Sequence, residues 1–147
     1  MAFVFRGSMG GVVDPAFVLR KKTTTAATAV GNLMSETGDG LTRSTSTDTI
    51  AGATRFDSVA MSIQVAGDTT VLALKLVPDM LFEVDCTNDT NDNQVGGRRP
   101  VTDESTLNNT TTDSNANTAP FEIIAIVGAA ATRKALVRYV GGGQVTA

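Results

Sequence analysis

The chain seldom stays apolar for long before a cluster of Gly, Asn, Asp, Ser or Thr breaks the run, and that rhythm sets the expected fold. From Phe17 onward, "FVLRKK" leads into "TTTAATAV", and "GNLMSETGDGLTRSTSTD" supplies two turn regions, at Gly31-Asn32 and Gly38-Asp39-Gly40. Short apolar stretches between such turns predict many short strands. The central stretch "SVAMSIQVAGDTTVLALKLVP" predicts a β-hairpin with a tight turn at Ala66-Gly67-Asp68. In its second strand Leu72, Leu74 and Leu76 alternate with Ala73, Lys75 and Val77, so the period of two puts three leucines on one face, expected in the core. Pro78-Asp79 ends that strand and "MLFEVDC" begins the next.

Near the C-terminus, Phe121 to Val127 is apolar on both faces. Alternation assigns Phe121, Ile123, Ala125 and Val127 to one side and Ile124 and Ile126 to the other. Such a strand belongs inside a sandwich or at a subunit interface. "KALVRYV", Lys134 to Val140, is expected to pair with it across "GAAATR". No helix longer than about two turns is required by the pattern. The expectation is an all-β fold, a small β-barrel or sandwich of short antiparallel strands, because closure or stacking removes exposed sheet edges.

Two segments read differently. Residues 1–16, "MAFVFRGSMGGVVDPA", combine apolar side chains with Gly7, Gly10, Gly11 and Asp14-Pro15, which break regular elements, so they predict an extended N-terminal arm. Exposed Phe3 and Phe5 on that arm would need a cover. Residues 87–119 are mostly polar and predict a long surface loop within a single domain over 17–140, with 141–147, "GGGQVTA", as a flexible tail.

Composition narrows the function classes. Thr and Val are frequent, the only aromatics are six Phe and one Tyr, and the branched residues favour a pleated surface. The chain has no His and a single cysteine, Cys86. That removes the commonest general base, the Ser-His and Cys-His nucleophile pairs and the usual zinc sites, and it rules out an intrachain disulfide. No enzymatic activity and no cofactor are expected. The formal charge is -3, unevenly spread. Residues 1–35 carry Arg6, Arg20, Lys21 and Lys22 against Asp14, whereas residues 79–119 carry eight acids against Arg98 and Arg99. This disfavours nucleic acid as a partner and suits head-to-tail contact with protein. The apolar start is too short for a signal peptide, and the longest apolar run, Ile123 to Ala131, is about half a membrane span, so a soluble, unexported chain with no membrane partner is expected. The sequons at Asn88, Asn108 and Asn109 then lack a secretory context.

The crowded Asp/Asn stretch "FEVDCTNDTNDNQVGG", Phe82 to Gly97, invites a calcium reading. Laid on Asp89, Asn91 and Asn93, the EF-hand pattern puts Gln94 where Gly belongs and Pro100 where the bidentate Glu belongs, so the match fails where it discriminates. Asx-turn chemistry accounts for the same residues, and no metal site is assigned. The glycine clusters at 7–11 and 38–40 lack the Lys-Ser/Thr ending of a phosphate loop. Glu83 with Asp85, and Asp103 with Glu104, read as solvated pairs.

Taken in order, "GDGLTRSTSTDTIAGATRFDS", "TTVLALKLVPDMLFEVDC", the polar loop with "VGGRRPVTDESTLN", "FEIIAIV" and "KALVRYV" resemble the small β-barrel cement, or head decoration, proteins of tailed bacteriophages. The resemblance spans roughly residues 38–140, with Ile50-Ala51-Gly52, Leu81-Phe82-Glu83-Val84 and Val95-Gly96-Gly97 as landmarks. It implies a non-enzymatic structural virion protein, made in the host cytoplasm and placed on the outer surface of the capsid. There it would associate with itself as a homotrimer and stabilise contacts between major capsid protein subunits. On this expectation Phe3, Phe5 and Arg6 contact the capsid, and Ile124 and Ile126 form the subunit interface. The alternative is a fibre-like or carbohydrate-binding β module, calcium-dependent in one version.

Overall fold

The computed structural model describes residues 3–9, 16–23, 27–111, 116–129 and 131–140. These form strands β1 (Val4–Ser8), β2 (Phe17–Lys21), β3 (Leu33–Thr37), β4 (Gly40–Arg43), β5 (Arg55–Ala60), β6 (Thr70–Lys75), β7 (Met80–Cys86), β8 (Arg98–Arg99), β9 (Thr106–Leu107), β10 (Phe121–Ile126) and β11 (Lys134–Tyr139). Two single-turn 3-10 helices, Asp92–Gln94 and Ala116–Thr118, are the helical elements among the described residues. The chain is all-β, as its punctuation predicts.

The strands make two sheets. The first runs β1-β7-β11-β10-β8, with β9 parallel to β7. β1 pairs with Met80–Glu83 and β9 with Asp85 and Cys86, so the two lie end to end along one edge of β7, while β11 takes the other. The second sheet runs β2-β6-β5-β3-β4, all antiparallel. It bends round until its outer strands touch. Lys22 bridges Leu41 in parallel, and the Thr23 N–H donates to Leu41 O at 2.9 Å. Gly40 permits this closure: its φ is +127°, and a Cβ there would sit 2.9 Å from Lys21 O.

Alternation along the second sheet separates two cores. Met34, Leu41, Ala60, Val71 and Ala73 form a small buried cluster on its inner side. Leu33, Phe56, Val59 and Leu74 face outward and join the main core against Phe82, Val84, Phe121, Ile123, Val137 and Tyr139 of the first sheet. The centre of that core is aromatic. Phe3 stacks on Phe121 with centroids 5.0 Å apart and meets Phe82 edge-on at 6.3 Å, and Tyr139 packs edge-on against Phe121 at 5.7 Å.

Four expectations are corrected. Phe3 is 2% exposed and tied by its N–H to Gly31 O, and Val4–Ser8 is a strand of the first sheet, so that part of the segment is core, not an arm. The main-chain pairing with β7 and the burial of a whole aromatic ring outweigh the glycine signal. The polar stretch also carries structure: β8, β9 and a capped 3-10 turn lie within 87–111, with Pro100, Val101, Leu107 and Asn109 buried. Its Asx side chains bond one another and the backbone, which replaces the missing apolar burial. The leucine face is split, since Leu74 and Leu76 are buried whereas Leu72 is 38% exposed. Finally, Ile124 and Ile126 do not share a face. The register passes from Ile123↔Val137 to Ala125↔Leu136, so a bulge at Ile124 resets the alternation and turns Ile126 onto the main core. The tail, 141–147, and residues 1–2 and 10–15 of the arm lie outside the described residues.

Candidate interaction surface

The exposed apolar groups concentrate where one sheet runs out of cover. Register places Phe17 beside Leu74, Leu74 beside Val59 and Val59 beside Leu33, so these four share one face of the second sheet. Leu33, Val59 and Leu74 are buried under the first sheet, while Phe17, at the end of the row, is 54% exposed. The next row pairs Leu19 with Leu72, and the Met61 N–H donates to Leu72 O. Here Leu19 is 70% exposed. Ile63 and Val65, also exposed, follow Met61 at two-residue spacing. The first sheet therefore covers one corner of this face and leaves the rest open.

At the boundary is a groove of about 280 Å³, lined by Phe3, Val4 and Phe5 of the first sheet and by Val30, Gly31, Val59, Met61 and Leu74 opposite. Its walls are almost wholly apolar. Small-molecule pockets usually span about 300–1,000 Å³ and carry several polar groups that orient the ligand. This groove is smaller and lacks them, so its chemistry suits an apolar side chain.

Many of the charged residues are committed to ion pairs. A register step from Met34↔Ser58 to Ser35↔Phe56 makes Asp57 a bulge residue on β5. The bulge re-aims its buried carboxylate to accept from Arg20 Nη1 and Lys75 Nζ, while Arg20 Nη2 reaches Glu36 at 3.0 Å and Glu36 also receives Arg55. On the outer face of the first sheet Arg6 meets Glu83 at 3.1 Å, Lys134 meets Asp85 at 3.4 Å, and Arg138 bridges Glu122 and Asp79. Glu83 and Asp85 thus each face a cation across the strands, a solvated structural pairing.

The Asp/Asn stretch spends its polar groups internally. Asn91 caps the turn at 92–94, its Oδ1 accepting from Asn93 N at 3.0 Å, and Asp89 accepts from Arg133 Nε at 2.9 Å. Buried Asn109 holds the loop from behind. Its Oδ1 accepts from Asn88 N at 3.0 Å, and its amide group is shared among Asn88 O, Asp89 O and Gln94 Oε1. Gly96 N donates to Ile123 O at 2.7 Å, which staples the loop's end to β10. Among the described residues no three His, Cys, Asp or Glu side chains converge in a way that could hold a metal. Cys86 is buried, and burial first, then the neighbouring Asp85, pushes its thiol up to about 11. Burial likewise raises Tyr139 to about 12, with Asp57 adding to it.

The residues expected to touch partners are thus dispersed. Phe3 is interior, Phe5 is half-buried along the groove, and Arg6 is exposed beside Glu83. Ile124 is half-buried at its bulge. Phe17, Leu19 and Val30 were not singled out from the sequence, and Leu72 was expected in the core. Alternation in "FVLRK" signals a face, yet nothing local says whether another sheet covers it. No protein-family model, no curated protein and no solved structure matches this chain.

Proposed function

We propose that the chain is a structural protein of a phage virion, which binds the outside of the capsid and stabilises contacts between major capsid protein subunits. The observation that carries this reading is the uncovered apolar face around Phe17, Leu19 and Leu72 with its adjoining side-chain-sized groove. A two-sheet body with such a face is suited to protein assembly. The order of sequence segments that resembles cement proteins gives the assembly its identity, and the same resemblance makes the working unit a homotrimer. Each buried aromatic or large aliphatic anchor contributes about 1.5–3 kcal/mol by area, and repetition over a shell multiplies a modest contact. The carbohydrate-binding alternative gains nothing from Tyr139, the only Tyr, which is buried in the core.

The test compares empty capsids with and without the purified chain. Decorated shells are expected to withstand heating or osmotic shock that ruptures bare ones. Equal rupture of both, with the chain left in the supernatant, would defeat the proposal.

A further inference from the structure

The second sheet ends at β2, and the pairing of that strand shows which way its main chain points. The Lys22 N–H donates to Thr69 O and Ala16 O accepts from Lys75 N, so Ala16, Val18, Arg20 and Lys22 turn their amide groups toward β6. By alternation Phe17 and Leu19 turn theirs the other way, to the free edge. Leu72, opposite Leu19, agrees with that sense, because its carbonyl accepts from Met61 N on the β5 side. The seam with β4 is made beyond this stretch, at Lys22 and Thr23. Two-residue spacing also puts the side chains of Phe17, Leu19 and Lys21 on one face. All three are exposed, and Lys21 has no ion-pair partner among the described residues. The edge therefore combines unpaired main-chain donors and acceptors, two apolar side chains and a free cation, and such an edge is a template for another strand.

We propose that β2 receives an extended strand of a different protein, one that is apolar at alternate positions and carries a carboxylate where it faces Lys21. Main-chain bonds to Phe17 and Leu19 supply the affinity, and the side chains on the open face supply the selectivity. Charge separates this partner from a second copy. The other strands at the sheet edges, β1, β4, β8 and β9, carry Arg6, Arg43 and Arg98-Arg99 between them and no acid. A second β2, laid antiparallel about Leu19, sets Lys21 against Phe17, and in parallel register it sets Lys21 against Lys21. No described edge strand of this chain supplies the carboxylate. Arg20 lies on the opposite face and is already bound to Asp57 and Glu36, which leaves Lys21 as the selecting charge. The inference deepens the assembly role proposed above, with a shell subunit as the source of the strand, and rests on it.

Hydrogen exchange of the full chain, read residue by residue by mass spectrometry, compares the dilute chain, the chain concentrated to about 100 μM and the chain bound to empty phage capsids. The Phe17 and Leu19 amides are expected to exchange fast in both free samples and at least about tenfold more slowly on the shells. Leu19→Pro removes an outward N–H that an edge strand can spare, and Lys21→Glu reverses the selecting charge. Each is expected to weaken shell binding at least about tenfold, with cooperative thermal melts showing that the variants fold. If Leu19→Pro does not fold, the exchange rates and Lys21→Glu decide. Shell-bound chain whose Phe17 and Leu19 amides still exchange fast, or binding that survives the substitutions, overturns this inference and leaves the assembly role standing. Slowing in the concentrated free chain assigns the edge to a second copy and overturns it too. A chain that never binds shells defeats both readings.

Discussion

Replacing Phe3 by alanine separates a core strand from a loose arm more sharply than any other substitution. Phe3 is 2% exposed, stacks on Phe121 at 5.0 Å and meets Phe82 edge-on. Burying a Phe is worth about 1.5–3 kcal/mol by area, and each aromatic pair adds about 0.5–1.5 kcal/mol. With the cavity left behind, Phe→Ala in a core typically costs about 3–5 kcal/mol. Phe3 lies at the start of its strand, where the chain relaxes most easily, so a loss of about 3 kcal/mol is expected. In a chain of this size that lowers the melting temperature by roughly 6–12 °C. Urea unfolding followed by far-UV circular dichroism measures it, with Arg6→Ala, whose exposed ion pair is worth at most about 1 kcal/mol, as the neighbouring control. A loss below about 1 kcal/mol for Phe3→Ala at an unchanged urea dependence would show that the first strand does not belong to the core.

Four further outcomes follow from the structure. Gly40→Ala forces a Cβ to within 2.9 Å of Lys21 O at a φ of +127°, so it should cost about 1–3 kcal/mol. Hydrogen exchange should accelerate at the Thr23 amide, which bonds Leu41 O across the seam, and equal protection in both proteins would count against the closure. Alkali should destabilise the fold: with Cys86 raised from 9.0 to about 11 and Tyr139 from 10.0 to about 12, the unfolded chain releases these protons first. Stability is then level below about pH 9 and falls as pH rises toward 12, by up to about 1.4 kcal/mol per unit and group. Denaturation midpoints that stay flat across that window would contradict it, and Cys86→Ala should reduce the slope. Asn109→Ala should cost about 2–3 kcal/mol by releasing the Asp/Asn loop. Millimolar calcium should leave the wild-type melting temperature unchanged, whereas a calcium-dependent rise would restore a metal role for Asp89 and its neighbours.

The all-β class was legible because the alternation in "TTVLALKLVP" and "KALVRYV" follows directly from the pleat. The β5–β6 and β10–β11 pairings were readable for the same reason. What escaped sequence reading is tertiary in origin. A bulge at Ile124 leaves no mark in composition, yet it reverses which face Ile126 occupies. Burial of Phe3 depends on Phe82 and Phe121, far away in the chain. The order in 87–111 comes from Asn109 reaching back some twenty residues to Asn88 and Asp89, a bond that polarity alone disguises as looseness. The candidate surface was hidden similarly, since Leu72 and Leu74 read alike and differ only in what lies above them.

Assembly on a shell is the proposal on which the account turns, and sedimentation of the purified chain with empty phage capsids tests it most directly. The chain is expected to travel with the shells at a fixed number of copies per capsid subunit, saturating as the symmetry-related positions fill. A chain that remains at the top of the gradient at every ratio, while the shells sediment bare, would contradict the account.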